Sequence, residues 1–289
     1  MLKVDPREVK TSVLHSYLLG AVAPRPIAFA STIDKNGTPN LSPFSFFNIF
    51  SAKPPIAIFS PARSGRTGAH KNTYENIKEV PEVVINAVSY DLVHQASLSS
   101  TEYPKGVDEF IKTGLTPLKS ELVRPFRVAE SPVQMECRVK DVIELSQEPG
   151  AGNLIICEVV LIHISESVLD GSLQIDPDKI DLVARMGGNW YCRASGKAKF
   201  EIPKPIGIMG VGVDGLPVKV RNSRVLTGNN LGQLGNVEKL PSEEEVRSFK
   251  NSDIYKSFGA LGSEEEIHRA AKSLLDSGKV AEAWKMLLS

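Results

Sequence analysis

The sequence lacks several features that would assign it to a large class of proteins. Its 289 residues contain only three cysteines, Cys137, Cys157 and Cys192, and no two of them form a Cys-x-x-Cys pair. Zinc ligation needs closely spaced pairs, so we expect free thiols that are buried or partly buried. No run approaches the roughly 20 apolar residues of a membrane span, and Met1–Pro6 contains no apolar signal core. We therefore expect a cytoplasmic protein.

Net charge is also absent. The 34 basic and 34 acidic side chains cancel, so the composition gives no indication of binding to nucleic acid or to a membrane. The five histidines show no i, i+4 pairing of the kind that holds a metal ion, and the G-x-S-x-G motif of many hydrolases does not occur. We therefore expect no metal and no catalytic side chain, with the chemistry carried by a bound cofactor.

The strongest pattern in the chain lies between residues 25 and 76. The apolar segment Pro26–Ile33 is followed by the turn sequence Asp34-Lys-Asn-Gly37 and then by Asn40–Asn48. Because Asn-Gly supplies the positive φ that a tight hairpin demands, the sequence predicts two strands joined at this turn. Another apolar segment follows at Pro54–Ser60.

The segment after the predicted turn mixes small polar residues with aromatic ones. Asn40, Ser42 and Ser45 are interleaved with phenylalanines, which suits a ligand that is both flat and polar. The segment after Ser60 contains hydrogen-bond donors that could bind a phosphate, and a helix over Lys71–Lys78 would add backbone N–H groups. A flat ring beside a phosphate indicates a nucleotide-like cofactor. The predicted phosphate donors are Ser64, Arg66, Lys71 and Thr73.

Two later segments predict long strands, and a third is unusual. Ser131–Leu145 and Asn153–Ser165 are joined by a turn-rich linker, and the first alternates apolar and polar residues with a period of two. Antiparallel strands of this kind can close into a barrel, which removes exposed edges. Met186-Gly-Gly-Asn-Trp-Tyr191 combines glycines that permit close backbone approach with flat aromatic surface. It either contacts a ligand or forms a tight turn with a core aromatic.

The composition changes towards the end of the chain. Two capping boxes, Ser242 with Glu245 and Ser263 with Glu266, each predict the start of a helix. We therefore expect residues 204–289 to form a loop-rich and helical extension. It could cover a barrel end, dock on a partner subunit or form a small satellite domain.

The chain resembles the flavin reductase-like, FMN-binding split-barrel family. The resemblance covers about the first two-thirds of the chain. It implies a mostly β fold, an antiparallel split barrel of Greek-key type with peripheral helices over residues 1–203, followed by the extension. It rests on Arg25-Pro-Ile-Ala-Phe-Ala-Ser-Thr32, Asn40-Leu-Ser-Pro-Phe-Ser-Phe46, Pro54-Pro-Ile-Ala-Ile-Phe-Ser60, Lys71-Asn-Thr-Tyr-Glu-Asn-Ile77 and Val83-Val-Ile-Asn86.

The resemblance also implies which residues bind the cofactor. Asn72 stands where the family commonly has Asp, and it keeps the hydrogen bonding without the negative charge. The segment Tyr103–Phe110 resembles an insertion that lies close to the flavin in the family, with Tyr103 and Asp108 bordering the substrate side, or it is an ordinary connecting loop. The expected contacts are Asn40, Ser42, Ser45 and Phe46 to the ring and ribityl chain, Ser60, Arg66, Lys71 and Thr73 to the phosphate, together with Asn72, Asn76, Met186 and Tyr191.

The implied function is that of an FMN-binding oxidoreductase. In the family, hydride passes from NADH or NADPH to the flavin, and the reduced flavin serves an acceptor or a partner oxygenase. A homodimer with the flavin at the subunit interface is implied as well. Three alternatives remain: an electron-transfer module without its own reductase turnover, a related split-barrel oxidase, and a purely structural interaction protein.

Overall fold

The computed structural model describes residues 1–202, 205, 207 and 209–289. These residues form two compact units, Met1–Phe200 and Glu201–Ser289. The boundary expected between Pro203 and Lys204 lies outside the described residues. Within the described ranges, no helix has both the length and the apolar character needed to cross a membrane.

The first unit combines strands with short helices. Its helices are α1 (Thr11–Ala21), α2 (Asn72–Glu79), α3 (Val93–Leu98), α4 (Glu109–Thr113) and α5 (Pro177–Ile180), with 3-10 turns at Tyr90–Leu92, Glu166–Val168 and Gly196–Ala198. Its strands are β1 (Ala28–Ile33), β2 (Pro39–Phe44), β3 (Phe47–Ala52), β4 (Pro55–Phe59), β5 (Glu82–Asn86), β6 (Pro117–Leu118), β7 (Arg127–Val128), β8 (Val133–Glu144), β9 (Asn153–Ile164), β10 (Val183–Arg185) and β11 (Tyr191–Arg193).

Seven of these strands form one antiparallel sheet in the order β2-β1-β5-β8-β9-β4-β3. The edge strands β2 and β3 are consecutive in the chain and are separated only by Ser45 and Phe46. The edges of a flat seven-stranded sheet would lie about 29 Å apart, whereas three Cα–Cα steps span about 11 Å. The sheet must therefore curve until its edges approach. This confirms the predicted split barrel, which is open between β2 and β3.

The predicted hairpin joins β1 to β2. The register runs from Ala28 opposite Phe44 to Ile33 opposite Pro39. In the turn, Gly37 has a φ of 88°, as the Asn-Gly sequence requires. The carboxylate of Asp34 accepts hydrogen bonds from the N–H groups of Asn36 and Thr38 at 2.8 Å each, which fixes the loop and hence the register.

The apolar core of the barrel lies on the inner faces of β1, β4, β5, β8 and β9. The predicted long strands, now β8 and β9, pair along their whole length, with bulges near Cys137 and Asp141. All three cysteines are free, with Cys137 and Cys157 buried in this core and Cys192 half-buried, as expected. The core residues include Ala28, Ala30, Ala57, Phe59, Tyr74, Ile77, Val83, Ile85 and Ile155.

Helix α1 is held by one buried arginine. No residue of α1 is buried, so apolar packing within the chain does not fix its position. The Arg25 side chain donates to Leu19 O at 2.7 Å and Val22 O at 2.6 Å, both at the C-terminal end of α1. It also donates to Met186 O at 3.0 Å, in the loop after β10. Arg25 thus satisfies carbonyls that a helix end leaves without partners.

The second unit is helical. Its helices are α6 (Val218–Arg221), α7 (Gly228–Gly235), α8 (Glu243–Lys250), α9 (Asp253–Ser257), α10 (Glu264–Asp276) and α11 (Val280–Leu287). Both predicted capping boxes are formed, with Ser242 and Glu245 at α8 and Ser263 and Glu266 at α10. Its core is centred on the buried Trp284, whose indole N–H donates to the carbonyl of Leu234 at 3.0 Å.

Replacing Arg25 by Met should loosen α1 specifically. A hydrogen bond from a charged donor contributes about 1.5–3 kcal/mol, so amide exchange across Thr11–Ala21 should accelerate about tenfold or more. Hydrogen exchange followed by mass spectrometry would measure this, with α10 as the internal reference. Arg7→Met is the matched control because the Arg7 side chain is exposed and pairs only with Asp5. Unchanged exchange in α1 would contradict the assigned role of Arg25.

Candidate functional site

A polar cavity of about 200 Å³ lies beside the open edge of the barrel. Strand β2, the start of α2 and the loop that follows α3 contribute its walls. Hydroxyl, amide and charged groups dominate the lining, which suits a polar ligand. The lining residues include Asn40, Ser42, Ser64, Arg66, His70, Lys71, Asn72, Thr73, Ser100, Glu102, Tyr103 and Glu109.

The N-terminus of α2 opens into this cavity. Lys71 is the N-cap residue, and no side chain caps the helix, so the first backbone N–H groups have no partner within it. The Thr73 hydroxyl accepts a hydrogen bond from the Asn40 amide at 2.9 Å, and both side chains are buried. Because that oxygen acts as an acceptor, its own hydrogen stays available to a ligand. The Asn40–Thr73 bond also fixes α2 against β2.

A carboxylate from another part of the chain lies between two cations at this site. Glu102 pairs with Lys71 Nζ at 2.9 Å and with Arg66 Nη2 at 2.9 Å. The hydrogen bond from Lys71, followed by the charges of Lys71 and Arg66, lowers the pKa of Glu102. The arrangement shows that Lys71 and Arg66 together can hold a negatively charged oxygen group.

Three side chains, those of Arg63, Tyr74 and Glu144, hold the loop that carries Arg66. Arg63 donates to Gly68 O at 3.1 Å and to Glu144 Oε2 at 2.9 Å. The Tyr74 hydroxyl donates to Glu144 Oε1 at 2.5 Å. The Tyr74 hydrogen bond, with smaller contributions from Gln147 and Arg63, lowers the pKa of Glu144 to about 2. Desolvation, followed by the bond to Glu144, raises the pKa of Tyr74 to about 12.

His70 has a nitrogen without a partner in the cavity wall. Its ring stacks on Tyr74 with centroids 3.8 Å apart and planes at 4°. Its Nδ1 atom is buried and makes no hydrogen bond to any residue that the structure describes. Buried polar atoms are rarely left in this state. Beside this buried nitrogen, Arg66, Lys71, Thr73 and the start of α2 form a donor set that fits a phosphate group, as FMN carries.

A buried carboxyl group also faces this cavity. Glu109 is 3 % exposed and its Oε2 accepts a hydrogen bond from the Leu41 N–H at 3.0 Å. Burial raises the pKa of Glu109, and the bond from Leu41 opposes the rise. The sequence did not single out Glu109, because one acidic residue at a helix start gives no signal that it will face a cavity.

A second cavity of about 410 Å³ adjoins the first, and Ser100 lines both. Its apolar lining residues are Ile27, Val88, Val93 and Ala96. Its polar lining residues come from the segment after β2, from α3 and from the β10–β11 hairpin. They include Ser45, Ser97, Arg185, Asn189 and Tyr191.

The structure divides the predicted cofactor contacts among three places. Asn40, Ser42, Arg66, Lys71, Asn72 and Thr73 line the first cavity, and Ser45 and Tyr191 line the second. Phe46, Ser60, Asn76 and Met186 line neither of these cavities.

These last four residues make other contacts. Phe46 is 42 % exposed and meets the ring of His15 edge-on. The Ser60 hydroxyl accepts from the N–H of Asn153 at 3.1 Å. Asn76 donates to the Thr32 hydroxyl at 3.2 Å, and the Met186 carbonyl accepts from Arg25. Their assignment to the cofactor stays a prediction.

The loop between α3 and α4 contributes both to the first cavity and to the start of a helix, and its position beside the flavin stays a prediction. Tyr103 lines the first cavity, whereas the Asp108 side chain caps α4 by accepting from the N–H of Phe110 at 2.8 Å. Glu102, next to Tyr103, was not predicted as a site residue. It lies 31 positions after Lys71, and no periodicity links two residues at that separation.

Comparison with known proteins places these observations in a family. The family model described as a flavin reductase like domain matches residues 20–180. An uncharacterised protein of Aquifex aeolicus (strain VF5) is 33% identical over 196 residues, which cover 68% of this chain and 97% of that protein.

Two solved structures share the fold of the first part of the chain. Nitrilotriacetate monooxygenase component B from Bacillus cereus has 29% identity and a TM-score of 0.65, covering 70% of this chain and 98% of its own. A split-barrel-domain protein of Shewanella frigidimarina NCIMB 400 has 23% identity and a TM-score of 0.57, covering 68% and 96%. The family match lies entirely within the first unit.

The Glu144 interactions predict a specific dependence of stability on pH. The pKa of Glu144 falls from 4.5 to about 2 on folding, so its ionised form stabilises the fold above pH 4.5. That contribution should be lost as the pH falls from 4.5 towards 2. Glu144→Gln should therefore lower the melting temperature at pH 7, and its difference from the wild type should shrink over this range.

Circular dichroism melts of the two proteins at several pH values would measure this. Glu148→Gln is the control, because the Glu148 carboxylate accepts no hydrogen bond within the described parts of the chain. The linkage requires that unfolding takes up about one proton between pH 2 and pH 4.5. A difference in melting temperature between the wild type and Glu144→Gln that stays constant from pH 7 to pH 2.5 would refute it.

Proposed function

The chain belongs to the flavin reductase-like domain family, and on that premise we propose that it is an FMN-binding, NAD(P)H-dependent oxidoreductase. The anion position at the start of α2 is the observation that carries the proposal. Lys71 and Arg66 already hold a carboxylate there. The position lies beside β2 at the open edge of the barrel, where a flat ring could extend from a bound phosphate.

In this proposal the phosphate takes the place of the Glu102 carboxylate. Lys71 and Arg66 would supply charge, and the Thr73 hydroxyl and the first N–H groups of α2 would supply directed hydrogen bonds. The orphaned Nδ1 of His70 would gain a partner. The interactions among Tyr74, Glu144 and Arg63 would support the site indirectly, because they hold the loop that carries Arg66.

The flavin ring and ribityl chain would lie along β2 towards the second cavity. Asn40, Ser42 and Ser45 would contact them through hydroxyl, amide and backbone groups. When bound, the flavin supplies the redox chemistry, taking electrons from NADH or NADPH and passing them to an acceptor. The protein would bind and orient the reactants and exclude water, and none of its own side chains would form a covalent bond.

A homodimer is part of the proposal. Strand β3 is an edge strand, and Phe46, Ile49 and Phe50 are 42 %, 51 % and 65 % exposed. Exposed strand edges and exposed apolar side chains favour association between chains. On α1, Tyr17 and Leu18 are about half exposed, at 48 % and 53 %. A second copy that covers β3 and α1 would bury these side chains close to the split.

We further propose that the reduced flavin serves a partner oxygenase. The support is the similarity to a protein named as component B of nitrilotriacetate monooxygenase, which is one part of a multi-component system. A cytoplasmic location suits this role, because nicotinamide donors are found there and because all three thiols are free.

Lys71→Ala should weaken FMN binding selectively. Loss of one charge-assisted hydrogen bond should raise the Kd for FMN about tenfold or more, with the Kd for riboflavin changed by less than about twofold. Fluorescence quenching of each flavin on titration would give both constants. Lys78→Ala, at the opposite end of the same helix and exposed, is the matched control.

Glu102→Gln should act in the opposite direction. It removes the carboxylate that competes for Lys71 and Arg66, so FMN should bind more tightly while riboflavin is unaffected. Equal effects on the two flavins in either variant would show that the phosphate does not bind between Lys71 and Arg66.

The complete proposal is tested by an absorbance spectrum of the freshly purified protein, before and after anaerobic addition of NADH or NADPH. Flavin bands that bleach with either nucleotide are expected, and they identify the donor. Bands that persist with both would favour an electron-transfer module without reductase turnover. A colourless protein that also fails to bind added FMN would overturn the proposal.

A further inference from the structure

The second cavity contains a cation that no acidic side chain neutralises. The half-buried Arg185 guanidinium donates one hydrogen bond, to Gly188 O at 3.0 Å. It also lies over the Tyr191 ring, 4.6 Å from the centroid. In the ranges that the structure describes, Arg185 forms no salt bridge with Asp or Glu. Most of its donors therefore remain available to the cavity.

A second arginine on the same hairpin shows the contrast. Arg193 lies over the Tyr90 ring at 4.0 Å, so it repeats the cation–π contact of Arg185. Unlike Arg185, it also forms a salt bridge with Asp181 at 2.6 Å. Arg193 therefore pairs with a carboxylate, whereas Arg185 pairs with none in the described ranges and lines the second cavity.

Arg25 adds positive charge next to Arg185. The two residues form a backbone bridge, with both N–H···O distances at 2.9 Å. Arg25 is buried, and its guanidinium donates to three carbonyl groups and, at 3.4 Å, to the Ser45 hydroxyl. Burial, and then the charge of Arg185, lower the pKa of Arg25. Neither arginine pairs with a carboxylate in the described parts of the chain, and their combined positive potential favours an anion in the cavity.

The cavity lining also contains apolar residues that suit an apolar, flat group. These are Ile27, Val88, Val93 and Ala96. A guanidinium binds a carboxylate through two parallel hydrogen bonds, and the Tyr191 ring holds it in one plane. The Asn189 side chain lies on the same wall and can add a donor.

We propose that the second cavity binds a flat organic carboxylate, with its carboxylate on Arg185 and its apolar body against Ile27, Val88 and Ala96. Such a molecule would be the substrate that meets the flavin at the shared boundary of the two cavities, near Ser100. Arg185 is then the residue that sets specificity for anionic substrates. The role of this molecule as a substrate rests on the proposed flavin function. Binding of a carboxylate by Arg185 does not depend on that function.

The test uses the full-length protein loaded with FMN and benzoate as the probe. Isothermal titration calorimetry should detect benzoate binding to the wild type, with the neutral amide benzamide binding at least about tenfold more weakly. Arg185→Met should weaken benzoate about tenfold or more and bring it close to benzamide. Arg185→Lys, which keeps the charge and loses the planar fork, should lie between the two.

Controls separate this proposal from the flavin proposal. Lys197→Met removes an exposed lysine from the segment after the same hairpin and should leave benzoate binding unchanged. The Kd for FMN, measured on every variant, reports whether the first cavity is intact. Failure of FMN to bind would count against the flavin proposal alone, because benzoate titration of the protein without flavin still tests Arg185.

Two results would overturn the carboxylate assignment. One is the absence of benzoate binding to the wild type. The other is equal benzoate affinity in the wild type and in Arg185→Met. If Arg185→Met then also raises the KM for NADH or NADPH, the anion on Arg185 is a phosphate of the nicotinamide nucleotide.

Discussion

A buried arginine without an acidic partner organises one end of the barrel. Arg25 brings together the end of α1, the start of β1 and the loop after β10 through three carbonyl groups, and it also donates to the Ser45 hydroxyl at 3.4 Å. A buried charge is costly unless its hydrogen bonds are complete, so these segments must keep their relative positions. Because β10 carries Arg185 into the second cavity, the same constraint places a positive charge where substrate is proposed to bind.

The topology explains why both cavities lie where they do. The chain passes from one edge of the sheet to the other through Ser45 and Phe46, and the barrel cannot close at that point. Side chains at a closed seam would be used in packing, whereas those at an open seam can face a ligand. Asn40 and Ser42 on β2 illustrate this, since they line the first cavity while Leu41 between them is buried in the interior.

Local patterns were sufficient to predict much of the fold. The Asn-Gly turn, the alternation in β8, the helix at Lys71 and the capping boxes of α8 and α10 each depend on residues within a few positions of one another. The donors at the start of α2 were predictable for the same reason. The cofactor roles of Ser60 and Asn76 came from the family resemblance and stay predictions, and the structure gives both side chains partners within the protein.

Other site residues could not be predicted from local patterns, because their roles depend on residues that are distant in the sequence. Arg193 pairs with Asp181, whereas Arg185 has no carboxylate partner in the described ranges. This difference arises only when the hairpin folds against Tyr90 and Asp181. Glu109 becomes a cavity carboxyl because α4 packs on β2 and presents it to Leu41. No single-residue property in the sequence distinguishes these residues from ordinary surface charges.

The Glu102 carboxylate has a consequence for which ligands can enter. It is attached to the chain, so it competes for Lys71 and Arg66 at a fixed, high effective concentration that dilution does not reduce. A ligand with a single negative charge gains no electrostatic advantage over it. A phosphate monoester, with a charge between about −1.5 and −2 at neutral pH, does. In the proposed binding mode, competition from Glu102 would therefore favour doubly charged ligands over carboxylates between Lys71 and Arg66.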